Sequence, residues 1–174
     1  GDGGGLFLKN ASLFHSGYLK LNNTCMSISN NTASSNYSGC LNLKNICIDI
    51  SNNVASGNGG GIAVTTASSF KLPNSSTIHE NEANRKGGGI YVYESISYGS
   101  LNLISLVGNK AISDGGGIFV GGTSAKVSIS NANISGNVVN DDGAGFCVSW
   151  GGALNLKNIE AFQNKAVDKG GGGY

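Results

Sequence analysis

Residues 106–120 have the sequence Leu-Val-Gly-Asn-Lys-Ala-Ile-Ser-Asp-Gly-Gly-Gly-Ile-Phe-Val, and this stretch decides the fold of the chain. It consists of an apolar residue, an asparagine three places later, a small residue, a glycine cluster and a strand-like segment. The same pattern recurs with spacings of 28, 28, 28 and 27 residues along the series Asn53, Asn81, Asn109, Asn137 and Asn164. A fixed period of this size, made of strand and turn residues, predicts a solenoid.

Each repeat holds three short apolar segments that alternate with period two, which indicates strands with one buried face. One follows the glycines, as in Ile118-Phe119-Val120. The second is a triplet such as Leu101-Asn102-Leu103, and the third leads into the asparagine. Glycine clusters at each repeat disfavour helices. We therefore predict an all-β fold, a right-handed parallel β-helix of about six rungs with three short strands per rung. Residues 1–174 form a single segment, which we expect to be a fragment of a longer repeat protein.

The recurring asparagines are expected to point inward at one corner of the solenoid. There each amide can hydrogen-bond the backbone of its own turn and the asparagine of the next turn, so that no buried polar group is left unpaired. Small residues such as Ala83, Ala111 and Val139 should lie beside them. This predicted structural ladder comprises Asn31, Asn53, Asn81, Asn109, Asn137 and Asn164.

The composition excludes several classes of function. The chain has 29 glycines, 12% charged residues and a net charge of +1, and no stripe of basic residues, so nucleic acid is not an expected partner. No apolar run reaches the ~20 residues that span a bilayer. No cofactor motif is present, and no cofactor is predicted.

Cys25 and Cys47 each lie six residues before a ladder asparagine. Equivalent positions on successive rungs are roughly 4.8 Å apart, which a disulfide tolerates. A disulfide across two rungs is therefore one interpretation. Two outward thiols that are stacked because the repeat was duplicated are the other.

Three aromatic residues, Phe7, Tyr91 and Phe119, share one outward register on the strand after the glycines. Tyr91 and Phe119 belong to consecutive rungs and should stack. They form either a contact face for another protein layer or for sugar rings, or a row that a loop covers.

Acidic residues concentrate in the turns before the glycines. Asp114 and Asp142 occupy one register on consecutive rungs, and stacked carboxylates can bind Ca²⁺. The alternative is solvated charges compensated by Lys86 and Lys169. A search for catalytic chemistry finds only His79 with Glu80 and Glu82 in one turn, so the chain is not expected to be an enzyme.

The combination of an apolar-x-x-Asn motif with a following glycine pair resembles the repeat of the chlamydial polymorphic membrane proteins. The closest copies are Ile134 to Asn137 with Gly143 to Phe146, and Leu106 to Asn109 with Gly115 to Ile118. The resemblance extends from Gly3 to Gly173. It implies a β-helix in a surface-exposed adhesin, the passenger of an autotransporter. In most copies isoleucine or leucine replaces the phenylalanine of the family motif.

These observations favour a non-enzymatic structural or adhesive segment of an extracellular, cell-surface repeat protein. The expected partners are other protein chains or flanking repeats at both ends, and host or cell-surface glycans. One alternative is a carbohydrate-active β-helix or a glycan-binding module. Another is a building block of an extracellular fibrous assembly, because both ends are core-type sequence without a charged cap and open strand edges recruit other strands.

Overall fold

The computed structural model describes residues 6–8, 26–29, 32–33, 41–42, 48–65, 69–94 and 98–174. All regular structure in these residues is β-strand. The strands in chain order are β1 (Leu6–Leu8), β2 (Met26–Ser29), β3 (Thr32–Ala33), β4 (Leu41–Asn42), β5 (Ile48–Ser51), β6 (Val54–Ala55), β7 (Ile62–Thr65), β8 (Ser69–Lys71), β9 (Thr77–His79), β10 (Glu82–Ala83), β11 (Ile90–Tyr93), β12 (Tyr98–Asn102), β13 (Ser105–Val107), β14 (Lys110–Ala111), β15 (Ile118–Gly121), β16 (Lys126–Ser135), β17 (Val138–Val139), β18 (Phe146–Ser149), β19 (Ala153–Phe162) and β20 (Lys165–Ala166).

The described strands form three parallel sheets. The first has the order β1-β7-β11-β15-β18 and carries the segments that follow the glycines. The second has the order β20-β17-β14-β10-β6-β3 and carries the residues after the ladder asparagines. The third holds nine strands in the order β2-β5-β9-β13-β16-β12-β8-β4, with β19 paired to β16.

Equivalent residues of consecutive repeats face each other in all three sheets, as in Ile90 opposite Ile118 and Ala83 opposite Ala111. One repeat is therefore one turn of a parallel β-solenoid, and the predicted all-β solenoid is confirmed. The structure has about four turns where about six rungs were expected. The residues before Ile48 are described only in short strands, which extend the sheets without adding a complete turn.

The division of each turn into strands differs from the expectation in one respect. The triplet and the strand that leads into the asparagine belong to the same sheet, and in β16 and β19 they are one continuous strand of 10 residues. The remaining face of each turn belongs to the second sheet, which is made of two-residue strands after the asparagines, such as β14. Two residues are too few to show an alternating pattern, so this face had no periodic signal in the sequence.

The core is a column of aliphatic side chains inside the coil. Strand residues alternate between this column and the outside, as the burial of β16 illustrates with Val127, Ile129, Ala132 and Ile134 all buried. Stacked Ile50, Ile78, Leu106 and Ile134 sit at one register of the third sheet. Because each turn contacts its neighbours through both hydrogen bonds and this column, the core is continuous along the axis.

Positive φ angles occur at the residue before each ladder asparagine, not at the asparagine itself. The residues are Asn52, Glu80, Gly108, Gly136 and Gln163, with φ between 54° and 64°. The ladder asparagines are thus selected for their amides and not for backbone conformation. The first glycine of each cluster, such as Gly115 with φ 65°, does use the freedom that lack of a Cβ gives.

Candidate functional site: a polar groove on the nine-stranded sheet

An open groove of about 520 Å³ lies on the outer face of the nine-stranded sheet. It follows the bend between the triplet strands and the strands that lead into the asparagines. The bend is produced by a row of positive-φ residues at equivalent positions of four turns, namely Ser75, Leu103, Asn131 and Asn158. Ile104 and Ala132, both buried, form part of the wall next to the core.

A second row of groove residues runs parallel to the first. Strand pairing places Thr77, Ser105, Asn133 and Glu160 opposite one another on consecutive turns. Hydroxyl, amide and carboxylate groups therefore repeat along the axis at the spacing of adjacent strands, ~4.8 Å. We name this surface, defined by Ser75, Thr77, Leu103, Ile104, Ser105, Asn131, Ala132, Asn133, Asn158 and Glu160, the polar groove.

Side-chain amides along one edge of the polar groove are linked to each other. Asn102 Nδ2 donates to Asn74 Oδ1 at 3.2 Å, and Asn102 Oδ1 accepts from Asn131 Nδ2 at 2.8 Å. Asn158 Nδ2 donates to Asn131 Oδ1 at 3.0 Å. These bonds hold the amides in defined orientations, so the groove presents fixed polar groups.

Asn133 has a polar atom that the protein does not satisfy. Its Oδ1 is buried and has no hydrogen-bond partner within the described part of the chain. Leaving a buried acceptor unpaired costs about 1–3 kcal/mol.

The internal asparagines form a hydrogen-bonded ladder at the corner between two sheets. Asn109, which is fully buried, shows the repeating unit. Its Nδ2 donates to Ile78 O at 2.8 Å and to Asn137 Oδ1 at 3.1 Å, and its backbone N donates to the same Oδ1 at 2.9 Å. Asn81 Nδ2 in turn donates to Asn109 Oδ1 at 3.0 Å.

The same bonds are repeated from turn to turn, connecting Asn53, Asn81, Asn109, Asn137 and Asn164. Ala83, Ala111 and Val139 are buried beside them. Within the described residues no buried side-chain atom of this row lacks a hydrogen-bond partner, so its role is structural. Asn31 lies outside the described residues.

Of the two interpretations of the aromatic row, an exposed contact face and a covered row, the burial of Tyr91 and Phe119 favours the covered row. Tyr91 is 7% and Phe119 0% exposed. Their rings do stack, with centroids 5.4 Å apart. Tyr93 stacks on Tyr91 at 6.0 Å and Trp150 packs edge-on against Phe119 at 5.5 Å, so residues outside the row cover it.

Phe7 falls in β1, opposite Ala63, and its side chain is outside the described part of the structure. Cys25 and Cys47 also lie outside the described residues. Cys147 follows Phe119 in the same register and is a free, buried thiol. Burial raises the pKa of Cys147 to about 11, which makes it a poor nucleophile at neutral pH.

The acidic turns do come together. Carboxylate oxygens of Asp114, Asp141 and Asp142 lie within 4.8 Å of one another. Asp114 is nevertheless engaged by the protein, because Lys86 Nζ contacts its Oδ2 and the backbone N of Asp142 donates to its Oδ1 at 3.3 Å. An internal cation therefore already compensates the acid expected to bind Ca²⁺.

The residues of the histidine turn point to different partners. His79 Nε2 lies 3.0 Å from Asp49 Oδ1 on the preceding turn. Glu82 pairs instead with Lys110 on the following turn, at 3.1 Å. Glu80 Oε2 is 3.8 Å from His79 Nδ1 and largely exposed. The three side chains thus do not converge on one point where a substrate bond could be held.

Comparison with known proteins gives one finding for this chain. Residues 48–65 match the family model described as the Chlamydia polymorphic membrane protein repeat. This segment contains Asn53 and the glycines 59–61, and the parallel β-solenoid fits such a repeat. The family is surface-associated and is not known to be enzymatic, which supports a cell-surface repeat protein at that level of detail.

No curated protein and no solved structure matches the chain significantly. Within the residues that the structure describes, no helix is long and apolar enough to span a membrane.

Proposed function

We propose that this chain is a structural and adhesive segment of an extracellular surface repeat protein, and that the polar groove is its adhesive surface. The solenoid supplies a rigid support, because every turn is bonded to its neighbours by the three sheets and by the asparagine ladder. Rigid elements hold binding groups more accurately than loops do.

The observation that carries the proposal is the alignment of Thr77, Ser105, Asn133 and Glu160 along the groove. An extended polymer that lies parallel to the solenoid axis meets one polar side chain on every turn. The hydroxyls and amides that line the groove supply donors and acceptors for the hydroxyls of such a ligand.

The chemistry of the lining favours a neutral, extended glycan. Its uncharged polar side chains are hydroxyls and amides, which donate and accept hydrogen bonds as sugar hydroxyls do. The one charged lining residue is Glu160, whose carboxylate repels acidic sugars. The lining has no aromatic ring, so the affinity must come from hydrogen bonds that repeat over several turns. Short oligosaccharides make few of these bonds and should bind weakly.

The test compares binding of the chain to immobilised neutral and acidic polysaccharides. Ser105→Trp fills the middle of the polar groove and should abolish binding to the neutral polymer. Asn140→Trp, at an exposed position outside the groove, is the matched control and should bind like the unchanged chain. Circular dichroism verifies that both variants keep the β fold. Equal binding by the two variants, or no binding of the unchanged chain to any neutral polymer, would refute the proposal.

A further inference from the structure

Lys86 and Asp114 form a sheltered pair between consecutive turns. Lys86 lies before the glycines of one turn, Asp114 occupies the same position one turn later, and Lys86 Nζ contacts Asp114 Oδ2. The two side chains are only 21% and 12% exposed. Lys86 Nζ also lies 5.0 Å from the ring centre of Phe119 and 4.9 Å from that of Trp150, so aromatic rings shield it from water.

The Asp114 carboxyl group is held by donors on both oxygens. The backbone N of Asp142 donates to Oδ1 at 3.3 Å. Ser113 Oγ donates to Oδ2 at 3.1 Å and accepts from Lys86 Nζ at 3.4 Å. A backbone N–H on one oxygen stabilises negative charge that develops there during attack on the carbon, as in an oxyanion hole.

Proton carriers are adjacent to the pair. Carboxylate oxygens of Asp141 and Asp142 lie within 4.8 Å of those of Asp114. Burial lowers the pKa of Lys86, against the opposing effect of Cys147, Asp141 and Asp142, and so favours the neutral amine that a nucleophile requires. A neighbouring carboxylate can take the proton of the ammonium and pass it to the leaving oxygen.

We propose that Lys86 and Asp114 join in an intramolecular isopeptide bond that links two turns of the solenoid. Lys86 Nζ attacks Asp114 Cγ, the Nζ–Cγ bond forms and the Cγ–Oδ2 bond breaks. Oδ2 leaves as water with two protons that come from the Lys86 ammonium. One ammonium and one carboxylate become one amide and one water, and nothing is oxidised or reduced. The fixed contact between the reacting groups and the exclusion of water lower the barrier to this reaction.

The chain contains its own comparison pair. Lys110 and Glu82 also bridge consecutive turns, with Nζ and Oε1 3.1 Å apart, but their side chains are 51% and 39% exposed. Among the residues that the structure describes, no aromatic ring lies over Lys110 as Phe119 and Trp150 lie over Lys86. This pair should remain an ordinary ion pair.

The decisive measurement is the intact mass of the purified, folded chain after its thiols have been reduced and alkylated. The isopeptide bond makes the chain lighter by one water molecule. Tandem mass spectrometry should find the peptides of Lys86 and Asp114 joined, and trypsin should not cleave after Lys86. Lys86→Arg and Asp114→Ala should each restore the full mass, whereas Lys110→Arg should keep the loss.

A succinimide at Asp114-Gly115 would lose the same water and must be distinguished. It leaves the Lys86 amine free, permits cleavage by trypsin and persists in Lys86→Arg. A full intact mass for the unchanged chain overturns the proposal, and so does a loss of water that survives Lys86→Arg. Because the unchanged chain is the principal sample, the result does not depend on the folding of any variant.

Discussion

The hydrogen bonds of Asn109 show why asparagine recurs in every turn. Its amide donates to a backbone carbonyl of the preceding turn, that of Ile78, and joins the asparagines of both neighbouring turns. Aspartate would bring a buried charge and leucine would bring no hydrogen bond. The two amide hydrogens and the carbonyl oxygen together are what this corner requires.

Replacement of Asn109 by leucine should therefore lower the free energy of unfolding by about 1–3 kcal/mol, because buried backbone groups and two amides lose partners. Urea denaturation followed by circular dichroism measures the change. Asn140→Leu, at an exposed asparagine, should change stability by no more than about 0.5 kcal/mol. Equal effects of the two substitutions would show that the ladder bonds contribute nothing measurable.

Cys147 gives a prediction about pH and reactivity. Because burial raises its pKa to about 11, the thiolate fraction at pH 8 is on the order of 100-fold lower than in the unfolded chain. The folded state holds this proton more tightly, so the thiol contributes stability that is lost as the pH rises from about 9 towards 11.

Iodoacetamide labelling at pH 8, with peptide mass spectrometry to resolve each cysteine, measures this reactivity. Cys147 should be alkylated at least about 100-fold more slowly in the folded chain than in urea. Comparable rates in the two conditions would mean that the thiol is neither buried nor shifted.

At the scale of the structural elements, the glycine clusters allow the turns to approach each other. A Cβ on Gly117 would fall against the carbonyl oxygen of Gly145 on the next turn and 3.1 Å from Asn137 Nδ2. The cluster therefore spaces two strands as well as turning the chain. Gly172 occupies the equivalent position on the last turn, where an added Cβ meets no atom within 4 Å.

Gly117 and Gly172 occupy the same position of two repeats, so alanine substitutions at them can be compared directly. Gly117→Ala should lower the melting temperature, with a cost of about 1–3 kcal/mol from overpacking. Gly172→Ala should leave it almost unchanged, since no neighbouring atom has to move. If both substitutions have the same effect, backbone entropy and not close packing explains the glycines.

The bends of the nine-stranded sheet are the part of the fold that could not be predicted from the sequence. The spacing of asparagines and glycines was sufficient to predict the solenoid, its period and the inward side chains. Nothing in the sequence indicated the positive φ at Leu103, because leucine is not a residue that favours this conformation. The polar groove results from that bend and was therefore not predicted, and Asn133 looked like any outward polar residue.

The sequence left open whether the aromatic row is exposed or covered, for a related reason. The register of Tyr91 and Phe119 was evident from the alternation, but Trp150, which packs against Phe119, follows a different strand and has no counterpart in the other repeats. A residue outside the repeating pattern can cover a face that the pattern leaves outward. Periodicity alone does not reveal it.

For the whole molecule, association can be tested on the 174-residue segment itself. Light scattering of this segment at high protein concentration should detect oligomers, since Phe162 and Val167 expose apolar surface in it. The double substitution Phe162→Lys and Val167→Lys should reduce the apparent mass towards that of a monomer. Ile112→Lys, at a residue 44% exposed on a middle turn, should not. A monomeric segment at high concentration would contradict this prediction.

The asparagine ladder also gives the solenoid a polarity. In the bonds between asparagines, each Nδ2 donates towards the higher-numbered turn, from Asn53 to Asn81 and onward to Asn164, whereas its other bond goes to a backbone carbonyl of the preceding turn. Within the asparagine row, one face of the coil therefore offers a side-chain oxygen and the opposite face offers a side-chain N–H group. Two coils joined head to tail would continue the row without interruption, whereas a head-to-head junction would set oxygen against oxygen. Any filament built through this corner would have two chemically different ends and would point in one direction.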